Sequence, residues 1–153
     1  MPTPFENAEL NLKLFELRRE PALRKARDWF IREFNPASFA ELVGLASGEH
    51  NTSFRMVLSY WNMAASLVTT GAIGADAFRS AHDEVFATFS KIHPYLAELR
   101  NASGEPDFCK NLETVVLAAP NAEEILERRR NTLRTAAKAR RPEKEISTEV
   151  VPH

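Results

Sequence analysis

The chain has 153 residues, with 20 lysines and arginines against 21 aspartates and glutamates, so its formal net charge is −1. This balance excludes nucleic-acid binding through a global positive charge, although a local basic patch is compatible with it. The single cysteine excludes an internal disulfide, and the acidic N-terminus does not resemble a secretory signal. We expect a cytoplasmic protein with one domain over residues 1–141 and a disordered tail over residues 142–153, which have little apolar surface to bury.

Apolar residues recur at helical spacing along the chain, and no segment alternates as a strand does. We therefore predict an all-α fold, a single bundle-like domain of six or seven helices around a central buried helix at about residues 52–70. The first helical segment runs from Asn7 to Phe34. Pro21 leaves two alternatives, one kinked helix or two helices that meet near Glu20. The predicted core positions of this segment are Leu12, Phe15, Leu23, Ala26, Phe30 and Phe34.

A short helix is expected next, from Phe39 to Ser47, with Gly48 closing it. Ser38 and Glu41 have the spacing of a capping box. In this motif the serine side chain accepts a hydrogen bond from a backbone amide of the first turn, and the glutamate side chain reaches back to the start of the helix.

The central helix has three stripes, and few charged residues interrupt them. The first stripe is predicted core: Phe54, Val57, Leu58, Trp61, Ala65 and Val68. The second can pack inside the monomer or against another copy: Met56, Tyr60, Met63 and Leu67. The third is small and polar, and it either lets a neighbouring helix approach closely or lines a ligand site: Ser59, Asn62, Ser66 and Thr70. Residues 56–75 carry no charge, but their polar groups and glycines favour a buried helix over a membrane span.

Three sequence segments resemble one prokaryotic family. They are the run SYWNMAASLVTTGAI at 59–73, ARDWF at 26–30 and KNLE at 110–113. Together they are similar to the family catalogued as domain of unknown function 4760, over about residues 10–125. The resemblance implies a helical fold and supplies no catalytic residues. Members of the family often follow a membrane anchor, and we expect this chain to differ by lacking one.

The second half of the chain is expected to contain three more helices. One begins near Asp76 and carries an apolar stripe from Phe78 to Ile92. Pro94 either kinks or ends this helix, and one or two further helical turns follow it. Residues 101–106 are predicted to form a loop. Asp107 is the predicted N-cap of the next helix, and Asn121 with Glu124 the capping pair of the last one, which ends near Arg141.

The sequence contains no recognisable catalytic or metal-binding motif, and we predict no catalytic residue, no metal and no cofactor. His82 and its acidic neighbours are interpreted as a solvated helix face rather than a metal site. Cys109 lies near a predicted helix start, where the dipole can lower a thiol pKa, but packing is the favoured explanation for it.

Seven basic residues and no acidic one occupy the last helix between Arg128 and Arg141. Four of them share one face and are expected to be exposed: Arg130, Arg134, Lys138 and Arg141. This run is either a solvated helix end or a site for weak, sequence-independent polyanion binding.

These patterns favour a non-enzymatic helical module for interaction or oligomerisation, most simply a homodimer. The alternative is an anion- or nucleic-acid-binding protein that uses the basic helix at 128–141, and an enzyme comes third.

Overall fold

The computed structural model describes residues 1–141, and the predicted tail at 142–153 lies outside the described residues. Among residues 1–141 it contains nine α-helices and no strand, which confirms the all-α prediction. The helices are α1 Pro4–Arg18, α2 Pro21–Arg32, α3 Phe39–Ala46, α4 Asn51–Thr69, α5 Ala75–Ala81, α6 Glu84–Ile92, α7 Leu96–Ser103, α8 Lys110–Leu117 and α9 Ala122–Arg140. Short 3-10 helices precede α4 and α7, at Gly48–His50 and His93–Tyr95.

The first segment is two helices, as the second alternative at Pro21 predicted. Thr3 and Glu6 form a reciprocal capping box at the start of α1. Glu20 caps α2 by accepting hydrogen bonds from the amides of Ala22 and Leu23, at 3.1 and 3.0 Å. Pro21 occupies the first position of α2, where its missing N–H costs nothing.

The break at Arg19 and Glu20 turns the buried face of α1 away from the predicted stripe. The four predicted core residues from Leu23 to Phe34 are buried, but Leu12 is 67% exposed and Phe15 is 43% exposed, so these two predictions were wrong. The buried residues of α1 are instead Asn11 and Leu14.

Helix α4 lies at the centre of the fold, as predicted, and packs mainly against α2 and α8. Its core stripe is buried from Phe54 to Ala65, and Val68 is half-buried. Where α4 meets α2, Phe34 contacts Phe30 and Phe54 with ring centroids 4.8 and 5.5 Å apart. All nine helices contribute side chains to one buried hydrophobic cluster.

The helix predicted to begin near Asp76 is three helices, and this division makes the count of six or seven slightly low. The backbone leaves the helical conformation at His82, with φ −127° and ψ 56°, which separates α5 from α6. Pro94 lies in the short 3-10 helix between α6 and α7. Helix α7 then continues to Ser103, so only the later part of the predicted loop at 101–106 is non-helical.

Three predicted caps differ from the structure. Ser38 accepts a hydrogen bond from the amide of Glu41 at 3.1 Å, but the glutamate side chain does not return the bond. Cys109, not Asp107, precedes α8, and Asn121 precedes α9 without a side-chain cap. Both Cys109 and Asn121 have left-handed backbones, with φ of 55° and 57°, a conformation that the capping patterns do not anticipate.

Candidate functional site

The predicted self-association stripe is divided between the core and the surface. Tyr60 is buried, and its hydroxyl donates a hydrogen bond to the backbone carbonyl of Leu14 on α1. Burial raises the pKa of Tyr60 to about 12, so this hydroxyl stays a donor at neutral pH. Met56 and Leu67 are half-buried, and Met63 is 42% exposed. Only part of the stripe is therefore free to meet another molecule.

An apolar groove of about 400 Å³ lies where the turn between α1 and α2 meets α4. Its walls include Met56, Tyr60 and Met63 from the predicted stripe. The opposite wall comes from Leu17, which is 44% exposed, and Leu23. Leu17 was not among the predicted site residues, although its place near the helix break was a signal that it could face α4.

A second, smaller cavity of about 350 Å³ lies on the other side of Ser59, between α4 and the segment before α8. Phe54, Leu58 and Phe108 supply apolar walls, and Arg55, Glu105 and Asp107 also line the cavity. The groove and this cavity therefore lie on either side of Ser59, on the outer face of α4.

The small polar stripe of α4 is used mostly for local bonding and helix packing. Ser59, Ser66 and Thr70 donate hydrogen bonds to backbone carbonyls of α4 itself, at 3.2, 2.5 and 2.8 Å. The side-chain Oδ1 of Asn62 accepts a hydrogen bond from the backbone amide of Leu112 at 3.1 Å, which links α4 to the first turn of α8. These contacts favour the interpretation that short side chains let a neighbouring helix approach.

Cys109 lacks the surroundings of a reactive thiol. It is 4% exposed, and burial raises its pKa to about 12. The nearby Arg100 opposes this rise, but desolvation is the larger cause. The structure therefore supports packing, with a raised rather than a lowered thiol pKa.

His82 is fully buried, so its interpretation as part of a solvated helix face was wrong. Its ring lies against Phe78 and Trp61, and its Nε2 is 3.0 Å from the side-chain oxygen of Asn11. Burial, and to a smaller extent the charge of Arg18, lowers the pKa of His82 to about 4, so the ring is neutral at physiological pH. Within residues 1–141, no group of three His, Cys, Asp or Glu side chains could hold a metal ion.

The basic helix α9 packs along α6, and part of its predicted anion-binding face is turned inward. Arg130 and Arg134 are half-buried and donate to the carbonyls of Ser90 and Pro36, at 2.9 and 3.3 Å. The expectation that all four predicted residues are exposed was therefore wrong for these two. Lys138 and Arg141 are exposed.

Two further cations bind the carboxyl end of α2. Lys91 of α6 is buried, and its ammonium donates to the carbonyls of Phe30 and Ile31 at 2.7 and 2.6 Å. Arg140 donates to the carbonyl of Arg32 at 2.9 Å. Burial lowers the pKa of Lys91 to about 7, with a smaller contribution from Arg140. Basic residues of α6 and α9 thus satisfy carbonyls that the end of a helix leaves without amide partners.

These contacts define an all-helical domain with an apolar groove beside α4. The chain belongs to the family described as domain of unknown function DUF4760, which matches residues 4–119. This confirms the resemblance seen in the sequence. The match ends before α9, so the basic helix lies outside it. No curated protein and no solved structure matches the chain significantly. No helix within residues 1–141 is both long enough and apolar enough to cross a bilayer.

Proposed function

We propose that this protein is a non-enzymatic helical interaction module that forms a homodimer through the outer face of α4. The observation that carries the proposal is the apolar groove bounded by Leu17, Met56 and Met63. Leu17 and Met63 expose 44% and 42% of their surface at its rim. Methionine suits such a surface because its unbranched side chain adapts to the shape it meets. A cytoplasmic location is part of the proposal, and the reduced, buried Cys109 agrees with it.

A second copy is the proposed partner because the outer face of α4 carries both a protruding side chain, Met63, and an apolar groove. A two-fold interface brings the same patch of both subunits together, so each patch must fit itself. Met63 projects beside a groove of about 400 Å³, and a two-fold axis near Ser59 would place each Met63 toward the groove of the other copy. The second cavity, beside Phe108, would extend the contact along the other edge of α4.

Sedimentation velocity at micromolar concentration tests the proposal. We expect the parent to sediment as a dimer, with twice the monomer mass of 17.3 kDa. Met63→Glu should sediment as a monomer, because the carboxylate would be buried without a partner in the interface. Val43→Glu is the matched control, since Val43 on α3 is 44% exposed and lies outside both concavities. A monomeric parent, or equal dissociation of both variants, would contradict the proposal.

Polyanion binding by α9 is the second candidate. Its support is the pair of exposed basic side chains that remain on the predicted face, Lys138 and Arg141. Because Arg130 and Arg134 donate to backbone carbonyls, the number of phosphate contacts falls from about four to about two. Titration of a short DNA duplex at several salt concentrations tests this, with an expected log–log slope of about −2 and weaker binding by Lys138→Gln. The absence of binding by the parent at low salt would eliminate this function.

A further inference from the structure

A cleft of about 640 Å³ opens between the α1–α2 turn and the start of α6, apart from the proposed dimer face. Cations provide half of the residues that line it: Arg19, Arg24, Lys25 and Arg27. The other lining residues are Asp28, Glu84, Pro21 and Ile31. Four positive and two negative charges leave this concave surface with a formal excess of positive charge.

One wall of the cleft contains a cluster of charged side chains with a net positive charge. Arg27 donates to both oxygens of Glu84, at 3.2 and 3.1 Å from its Nε, and Arg18 reaches the same carboxylate at 3.5 Å. Two guanidinium groups therefore share one carboxylate. The three side chains are only 14–18% exposed, so water screens the excess charge poorly. Burial and the charge of Arg27 lower the pKa of Arg18, in agreement with a local excess of positive charge.

Arg27 is held in place beside the opening of the cleft. Its Nη1 donates to the carbonyl of Arg18 at 2.9 Å, and its Nε and Nη2 donate to Glu84. A guanidinium carries five N–H groups, so these three contacts leave others free to bind a further acceptor.

Among residues 1–141, the other three cations of the cleft have no counter-ion. Within residues 1–141, no ion pair involves Arg19, Arg24 or Lys25. Asp28, which also lines the cleft, pairs with Arg32 at 3.5 Å, and Glu20, next to Arg19, caps the first amides of α2. The cleft thus combines one cation held by several hydrogen bonds with three cations that have no ionic partner within residues 1–141.

We propose that this cleft binds a small molecule that carries two or more phosphate charges. Arginine forks match phosphate oxygens, and several cations around one hollow favour a polyvalent anion over a single negative charge. Pro21 and Ile31 give the cleft an apolar surface for the organic part of such a ligand. The sequence contained a signal for the site, since residues 18–27 include five basic residues and one acidic residue. No residue lines both this cleft and the groove of the proposed dimer, although both border the α1–α2 turn.

Isothermal titration with inorganic pyrophosphate, without magnesium and at constant ionic strength, tests the proposal. The parent should bind with a saturable, one-site isotherm. Arg24→Gln combined with Lys25→Gln should weaken binding about ten-fold or more, because two charge-assisted contacts are lost. Both residues are exposed, so the fold should persist, and circular dichroism checks this. Arg19→Gln provides a second, single-site variant and should weaken binding by a smaller factor.

The matched control is Arg128→Gln combined with Lys138→Gln, which removes two exposed charges from α9. It should change the pyrophosphate affinity by less than about two-fold, the effect of a distant charge after salt screening. Adenosine diphosphate, as a second probe, should bind more tightly than pyrophosphate, because Pro21 and Ile31 give its organic part an apolar surface, and weaker binding of the diphosphate would overturn that part of the proposal. An absence of saturable pyrophosphate binding, or equal weakening by the cleft and control variants, would overturn the proposal.

Discussion

Replacement of Trp61 by alanine tests whether α4 is the centre of the fold. Trp61 is fully buried, and its ring contacts Tyr60 and His82 with centroid distances of 5.0 and 5.8 Å. Removal of a large buried aromatic side chain costs about 3–5 kcal/mol, because contacts are lost and the cavity closes only in part. A domain of this kind has about 5–15 kcal/mol of stability in total, so the variant should lose a large share of it.

Thermal and urea unfolding, followed by circular dichroism, measure this loss. For a chain of this size, the expected cost lowers the melting temperature by about 10–15 °C. Trp61→Phe should lose much less, because it keeps an aromatic ring and the indole N–H has no acceptor within residues 1–141. Leu12→Ala is the control, and a side chain 67% exposed should cost less than about 0.5 kcal/mol. A Trp61→Ala variant that unfolds like the parent would refute the central position of α4.

Three further predictions concern buried polar contacts. Tyr60→Phe removes the donor to the Leu14 carbonyl and should cost about 1–2 kcal/mol, with faster amide hydrogen exchange in α1 as the local readout. Glu84→Gln leaves Arg18 and Arg27 without their shared carboxylate, and it should lower the free energy of unfolding in urea by about 2 kcal/mol. Asp28→Asn is the control, because it breaks an exposed pair and should cost less than about 0.5 kcal/mol. His82 has a native pKa of about 4, below its ordinary 6.5, so the unfolded chain takes up the proton first and stability should fall by about 3 kcal/mol as the pH drops from 6.5 to 4. His82→Gln should flatten that part of the stability–pH profile, and an unchanged slope would refute the assignment.

The sequence predicted the helices best where an apolar stripe faces the core. The stripes of α2 and α4 recur at helical spacing, and their residues form the buried core. Leu12 and Phe15 were assigned wrongly because periodicity cannot show how far the turn at Arg19 and Glu20 rotates one helix against the next.

The remaining differences come from contacts between residues that are distant in sequence. The break at His82 accompanies a buried contact with Asn11, which lies in another helix. Arg130 and Arg134 turn inward because carbonyls of Ser90 and Pro36 lie within reach, and no local pattern in α9 encodes this. The left-handed backbones at Cys109 and Asn121 are conformations that capping patterns do not describe.

Site-specific cross-linking at position 63 is the most direct test of the proposed dimer. Met63→Cys places a thiol at the rim of the α4 groove, and the native Cys109 is 4% exposed and should not compete. With a short bismaleimide at micromolar protein concentration, this variant should yield a covalent dimer. Val43→Cys, at an equally exposed position on α3, should remain monomeric. Equal cross-linking of the two variants, or none at position 63, would contradict self-association through α4.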